Sequence, residues 1–243
     1  MTIKLSIASL VFVLTVTSCA PAYVANTKNT PLFTEAKQFS ANISYFSGID
    51  LQAAYSFSEH LAAMANGNIF ITKTEIYGEP QRKPHHIFGE VGIGYFPKTE
   101  DVRVEIFGGY GRGKGVANKS IPEIDEGDFN GWGTYNRIFI QPSIATNEKD
   151  FNLIFTPRVS LVEFTKFAVE SRYAPNREYR PGRGYRAFFE PSLTGRFDLN
   201  SKLRGYAQIG MNVPFQPTYY WSNILQFAVG IQLHLGPSHK DVN

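Results

Sequence analysis

From Phe39 onward, apolar and polar residues alternate along segments of about 9 to 13 residues. The last segment has one wholly apolar face, made of Leu225, Phe227, Val229, Ile231, Leu233 and Leu235. Its other face carries Gln226, Gln232 and His234. A period of two is typical of a β-strand whose faces meet different surroundings. Ten such segments predict an all-β chain of about ten strands, within a range of eight to twelve.

The connections between these segments alternate in length. Tight polar turns are expected at 58–60, 98–101, 146–150 and 199–202, and longer loops at 78–86, 112–131, 165–184 and 214–222. Short turns at one end and long loops at the other indicate an antiparallel up-and-down β-barrel. Both chain termini then belong to the short-turn end. Three prolines, Pro142, Pro157 and Pro191, interrupt predicted strands, where each removes a ladder hydrogen bond.

The orientation of the two faces decides between a membrane barrel and a soluble one. Apolar-face aromatic residues gather near strand ends: Phe39, Phe57, Tyr95, Phe151 and Phe197 by the turns, and Tyr110, Trp132 and Tyr185 by the loops. Two such bands resemble the girdles of an outer-membrane barrel. The polar face is rich in arginine, which pairs well with carboxylates where little water remains. We therefore expect ion pairs in the lumen among Glu90, Arg103, Glu105, Arg137, Arg158, Glu190, Arg196 and Arg204.

The N-terminal residues carry an export signal. Lys4 precedes an apolar stretch, 5–16, that is shorter than the roughly 20 residues of a spanning helix, and Val16-Thr17-Ser18-Cys19 resembles a bacterial lipobox. Cys19 is the only cysteine, so its acylation leaves no thiol for disulfide, metal or nucleophilic chemistry. The expected organisation is a signal peptide at 1–18, a lipidated tether at 19–38, a barrel at 39–236 and a tail at 237–243.

The composition agrees with this class of fold. The 243 residues include 14% aromatic residues, 21 glycines and 14 prolines, which fits an all-β chain. A net charge of +3 is too small to indicate a nucleic-acid partner.

No motif predicts a catalytic centre, a metal site or a cofactor. His85 and His86 are neighbours and point in different directions from an extended backbone, whereas zinc needs three or four converging ligands. The glycine-rich run 108–115 lacks the following helix of a phosphate-binding loop. Ser143, Ser160 and Ser192 face the predicted lumen without a histidine on their strands, so a hydrolase is disfavoured.

Two long loops carry opposite charge. Residues 122–128 are acidic, and the other loop contains Arg172, Arg177, Arg180 and Arg183. They either pair with each other, or the arginines bind phosphates of lipopolysaccharide or another acidic surface polymer.

A family resemblance joins several of these features. The lipobox, Asn29-Thr30-Pro31-Leu32-Phe33, residues 50–55 and the Gly-Ile-Gln-Leu-His-Leu ending at 230–235 resemble uncharacterised outer-membrane lipoproteins of Bacteroidota. The resemblance implies an outer-membrane protein whose partner is membrane lipid. Surface lipoproteins of that phylum carry acidic residues just after the cysteine, whereas this chain has Ala20-Pro21-Ala22-Tyr23. The resemblance therefore implies that the lipid lies in the periplasmic-side leaflet and that both termini are periplasmic.

The sequence thus predicts a lipid-anchored outer-membrane barrel with a structural or surface-interaction role through its long loops. A narrow small-solute pore and a soluble lipocalin-like ligand-binding lipoprotein are the alternatives. The oligomeric state stays open.

Overall fold

The computed structural model describes residues 23–45, 48–76, 79–99, 101–119, 129–148, 151–171, 174–179, 184–216 and 224–236. The strands are β1 (Phe39–Tyr45), β2 (Ile49–Ser56), β3 (Leu61–Ile76), β4 (Glu79–Tyr95), β5 (Val102–Lys119), β6 (Phe129–Thr146), β7 (Phe151–Ser171), β8 (Ala174–Tyr179), β9 (Arg186–Asp198), β10 (Leu203–Met211), β11 (Val213–Pro214) and β12 (Leu225–Leu235). Over those ranges, no helix has the length and apolar character needed to cross a membrane.

Ten strands close into an antiparallel ring. Strands β1 to β7 pair in sequence order, β7 pairs with β9, and β10 and β12 complete the ring back to β1. The remaining two lie outside it, because β8 pairs with the end of β7 and β11 with the start of β9. The predicted antiparallel barrel of ten strands is confirmed.

The barrel has an apolar outer face and a polar inner face. Large apolar side chains that are between 42% and 65% exposed include Ile43, Leu51, Val91, Ile93, Ile209, Phe227 and Ile231. Buried polar side chains on the same strands include Asn42, Gln52, Glu90 and Gln208. This polarity is that of a barrel that crosses a membrane. The lipocalin-like alternative required apolar residues inside, and it is wrong.

Exposed aromatic side chains mark the rims of the outer face. Phe57, Tyr95, Phe151 and Phe197 are exposed beside the short turns, and Tyr110 and Tyr185 are exposed nearer the long loops. Amphipathic rings at these levels suit the two interfaces of a bilayer.

One side of the barrel is much taller than the other. Strands β3 to β7 have 16 to 21 residues, whereas β1, β2, β10 and β12 have 7 to 11. A membrane crossing needs about 9 to 11 residues, so the long strands continue past it at the long-loop end. The loops predicted at 78–86, 112–131 and 165–184 are therefore largely strand, and those three assignments are wrong.

The glycine-rich run 108–115 is part of β5, and two of its glycines leave room for aromatic rings. A Cβ atom at Gly111 would lie 2.5 Å from the Phe88 ring, and one at Gly113 would lie 2.5 Å from the Tyr135 ring. Inward-facing glycines leave space for large rings on neighbouring strands. The run serves packing inside the barrel.

The three strand prolines lie side by side on the outer face. Pro157 pairs with Pro191. The β6–β7 ladder is interrupted across residues 141–143, where Pro142 lies opposite Pro157. Neither proline has an N–H to donate. Their neighbours Gln141, Arg158 and Glu190 are buried, which places the prolines outward.

Candidate functional site

The lumen is occupied by the chain's own N-terminal segment. Residues 23–33, here called the luminal segment, are all buried. Their side chains and backbone bond to side chains from all ten ring strands, as shown by partners such as Asn42, Gln52, Asn66, Glu90, Glu105, Arg137, Arg158, Glu190, Gln208 and Gln226. Of the stretch 19–38 predicted to be a lipidated tether, residues 23–33 thus lie inside the lumen.

The luminal segment runs along the barrel axis. Its last residue, Phe33, packs against Phe96 at the short-turn end, with ring centroids 6.0 Å apart. Its first residue, Tyr23, packs against Tyr135 and Phe188 at 5.3 and 4.9 Å, in the halves of β6 and β9 nearer the long loops. Followed toward the N-terminus, the chain therefore advances from the short turns toward the long loops.

Inner-wall amides hold the backbone of this segment. Gln226 Nε2 donates to the Ala25 carbonyl at 2.5 Å, Gln52 Nε2 to Thr27 at 2.8 Å, and Gln141 Nε2 to Asn29 at 2.7 Å. The three glutamines lie on β12, β2 and β6. Because burial removes water from these carbonyls, each bond satisfies a group that would otherwise be costly to bury.

A buried charged network surrounds the first half of the segment. Glu90 forms ion pairs with Arg137 and with Arg158, the latter at 3.5 Å. Glu190 pairs with Lys28 at 3.3 Å and with Arg158 at 4.0 Å. Three cations thus share two carboxylates without solvent, and such a set is stable only when hydrogen bonds satisfy the remaining polar atoms.

Two side chains of the luminal segment supply several of those hydrogen bonds. Tyr23 donates its hydroxyl to Glu190 at 2.6 Å and accepts from Arg137 at 3.1 Å. Asn26 donates to Glu90 at 3.0 Å, while its Oδ1 accepts from Arg137 at 2.7 Å and from Arg158 at 3.1 Å. The segment and the wall therefore form one network.

The structure brings together four of the eight residues expected to form lumen ion pairs: Glu90, Arg137, Arg158 and Glu190. Two others bind the backbone of the luminal segment. Arg196 Nη1 donates to the Thr30 carbonyl at 3.1 Å, and Glu105 accepts the Leu32 N–H at 2.8 Å.

The last two, Arg103 and Arg204, lie at the short-turn mouth. Arg103 Nε donates to Asn147 at 2.9 Å, and Arg204 pairs with Asp198 at 3.0 Å. Together with neighbouring polar residues they line a cavity of about 390 Å³. Neither forms an ion pair with another residue of the predicted set within the described ranges.

Above the charged network lies a buried aromatic cluster. Phe88, Tyr135, Phe164 and Phe188 pack around Tyr23. His86, which the sequence assigned to a loop, lies in β4 with Nε2 2.6 Å from the Tyr135 hydroxyl and Nδ1 2.8 Å from Asn68 Oδ1. Because Asn68 Oδ1 can only accept, Nδ1 carries the proton and Tyr135 donates to Nε2.

Several predicted residues lie outside the described structure. Cys19 is among them, as are Arg172, Arg180 and Arg183, while Arg177 belongs to β8 without a described side chain. Within the described ranges, no group of three or more His, Cys, Asp or Glu side chains is placed to hold a metal ion.

Sequence reasoning missed the luminal segment and the glutamines that bind it. Gln52, Gln141, Gln208 and Gln226 all fall on the inner face by the period-two pattern. A side-chain amide can both donate and accept a hydrogen bond. Several glutamines on the inner face of a narrow barrel are therefore the sequence signal that could have indicated a bound backbone.

Comparisons with known proteins show similar folds only. The chain matches no protein family and no curated protein. It is similar to the outer membrane protease OmpT from Escherichia coli, at 10% identity over 83% of this chain and 94% of that one, with a TM-score of 0.48. It is also similar to the translocator domain of the autotransporter NalP from Neisseria meningitidis, at 11% identity over 81% and 86%, with a TM-score of 0.43.

Proposed function

We propose that this chain is an integral outer-membrane barrel that displays its own N-terminal end and its long loops on the same side of the membrane. The direction of the luminal segment supports this topology, because the segment leads from Phe33 at the short turns to Tyr23 toward the long loops. In outer-membrane barrels the long loops are extracellular and the short turns periplasmic. The role is then one of surface display, with no catalytic residue assigned.

Cys19 is the lipid attachment site in this proposal, but on the opposite side from the sequence-based expectation. Tyr23 comes four positions after it, and an extended chain covers at most about 14 Å over that distance. Because Tyr23 lies toward the long loops, the proposal places the lipid on that side of the membrane. The lipid then belongs to the outer leaflet, and only the C-terminus after β12 is periplasmic.

The filled lumen disfavours a small-solute pore. Barrels of about eight strands are closed by side chains alone, and open channels appear near sixteen strands. Here a backbone, a charged network and an aromatic cluster occupy the interior of ten strands. The family resemblance to Bacteroidota lipoproteins and the binding of lipopolysaccharide phosphates by Arg172, Arg177, Arg180 and Arg183 remain predictions that fit a surface role.

An epitope placed between Ala22 and Tyr23 tests the proposal. Antibody should bind it on intact cells, whereas the same epitope placed after Gly236 should be detected only after the outer membrane is opened. Faster migration of the unheated protein on a gel verifies that both variants fold as barrels. An N-terminal epitope that stays hidden until the membrane is opened would overturn the proposed topology.

Lipidation is tested separately. An alkyne-tagged fatty acid fed to the cells should label the wild type and not Cys19→Ala. Both proteins should remain in the outer-membrane fraction, because the apolar outer face anchors the barrel without the lipid. Label retained by Cys19→Ala would contradict the assignment of the acylated residue.

A further inference from the structure

The wall binds the luminal segment through its main chain as well as through its side chains. Carbonyls of five residues, Ala25, Thr27, Lys28, Asn29 and Thr30, accept hydrogen bonds from wall side chains. The backbone N–H groups of Lys28 and Leu32 donate to Gln208 and Glu105, both at 2.8 Å. Main-chain groups are the same in every polypeptide, so these contacts do not depend on the sequence of the bound strand.

Consecutive carbonyls are bound from different sides of the barrel. The donors for residues 27 to 30 lie on β2, β10, β6 and β9 in turn. Side chains from four wall strands therefore surround the backbone of these four residues and satisfy each carbonyl from a different strand.

Side chains add contacts at several positions. Tyr23, Asn26 and Lys28 join the charged network, and Asn29 bonds to Asn66 at 2.8 Å. Thr27 accepts a hydrogen bond from Gln52 at 2.9 Å, and Leu32 and Phe33 pack among buried apolar residues of the wall. Thr30, in contrast, is bound only through its carbonyl in the described contacts. In strand-addition complexes, main-chain bonds supply affinity and pockets at separate positions supply specificity. The lumen divides its contacts in the same way.

We infer that the lumen is a binding site for one polypeptide segment, recognised through its backbone and through side chains at separate positions, and that residues 23–33 are its resident ligand. This deepens the proposed display function by naming the class of ligand that the barrel holds. A separate strand with the same backbone pattern would occupy the site once the resident one has left. Replacing side chains such as Thr30 would be tolerated, and blocking the bound N–H groups would not.

The test cuts the full chain after it has folded. A protease recognition sequence inserted between Ala36 and Lys37, in the partly exposed turn before β1, separates the luminal segment from the purified barrel in detergent. Denaturant is raised until the cut segment leaves over hours, and its release is followed by mass spectrometry. Gln208→Leu should speed release roughly tenfold or more, because a bond is lost and polar groups of Lys28 stay buried.

Thr156→Val is the matched control. Thr156 is also buried on the inner wall, but its hydroxyl donates to Ser143 of the wall itself at 3.2 Å. Its replacement should leave the release rate within about twofold of the wild type. Equal release from Gln208→Leu and wild type would overturn the inference.

Synthetic peptides then refill the emptied barrel. The peptide of residues 23–33 and its Thr30→Ala form should bind equally, whereas a peptide N-methylated at Lys28 and Leu32 should bind at least tenfold more weakly. If the N-methylated peptide refills the lumen as well as the unmodified one, recognition is not through the backbone. This assay in detergent is independent of membrane side and of Cys19, so its failure differs from failure of the epitope test.

Discussion

Gln208 binds both backbone groups of Lys28: its Oε1 accepts the amide N–H at 2.8 Å, and its Nε2 donates to the carbonyl at 3.1 Å. One side-chain amide thus replaces a paired strand residue. The Lys28 ammonium group simultaneously pairs with Glu190 at 3.3 Å. The backbone site and the charged network therefore meet at a single residue in the centre of the barrel.

Removing the Lys28 charge should destabilise the barrel. In Lys28→Met the aliphatic length is kept, but Glu190 loses its closest cation while remaining buried. Breaking a buried pair in this way costs about 3 to 5 kcal/mol. The temperature at which the protein loses its fast, unheated gel migration should fall clearly.

An exposed pair provides the control for that variant. Lys98 and Glu59 form an ion pair at the surface of the short-turn end, with side chains 57% and 54% exposed. Lys98→Met should leave the gel transition unchanged. Equal transitions for Lys28→Met and wild type would show that the Lys28–Glu190 pair does not hold the segment.

Glu90 should be the most sensitive wall residue of the network. Its carboxylate accepts from Asn26 and Asn66 and pairs with both Arg137 and Arg158. The isosteric change Glu90→Gln leaves two buried guanidinium groups with less negative charge, which should cost about 3 to 5 kcal/mol. Denaturant unfolding in detergent, followed by tryptophan fluorescence, measures the loss, and Glu148→Gln in an exposed turn should show none.

Glycine in β5 should be required for the aromatic cluster. In Gly113→Ala the new Cβ would meet the Tyr135 ring at 2.5 Å, and overpacking of this kind costs about 1 to 3 kcal/mol. Gly67→Ala is the control, because its Cβ would meet only the Phe88 carbonyl oxygen at 3.7 Å. Equal unfolding midpoints for the two variants would contradict the described packing.

The intact barrel should be electrically closed. Wild-type protein in planar bilayers is expected to show no steady conductance, since residues 23–33 fill the lumen. After cleavage between Ala36 and Lys37 and release of the segment, ohmic conductance should appear, and the peptide of residues 23–33 should block it. Steady conductance through the uncut protein would contradict the filled lumen.

The sequence predicted the barrel because alternation is a local signal. The outward face of a strand can be recognised from a few alternating apolar residues, such as Leu225, Phe227 and Val229 in β12. Ten such segments, joined by alternating short and long connections, are compatible with few topologies other than an up-and-down barrel. The same alternation predicted the charged inner-face residues of the network, because charged side chains on the inner face of a narrow barrel must lie close to one another. These residues are Glu90, Arg137, Arg158 and Glu190.

The luminal segment could not be found this way. Residues 23–33 have no periodicity of their own, and their partners are remote, with Tyr23 and Glu190 separated by 167 positions. A polar, aperiodic stretch beside a lipobox is also what a solvated tether looks like. Its structure is imposed by the wall, through amides and charges that the sequence places on ten different strands.

A disulfide across the lumen tests the central claim most directly. Thr27 Oγ1 and Ser44 Oγ lie 3.5 Å apart, so cysteines at these positions, in a Cys19→Ala background, are close enough to bond. Mild oxidation of the folded protein should link them in Thr27→Cys/Ser44→Cys and not in Thr27→Cys/Ala65→Cys, because Ala65 is exposed on the outer face. Peptide mass spectrometry reads the result: a 27–44 link places the segment inside the barrel, and its absence from a correctly folded protein would contradict that placement.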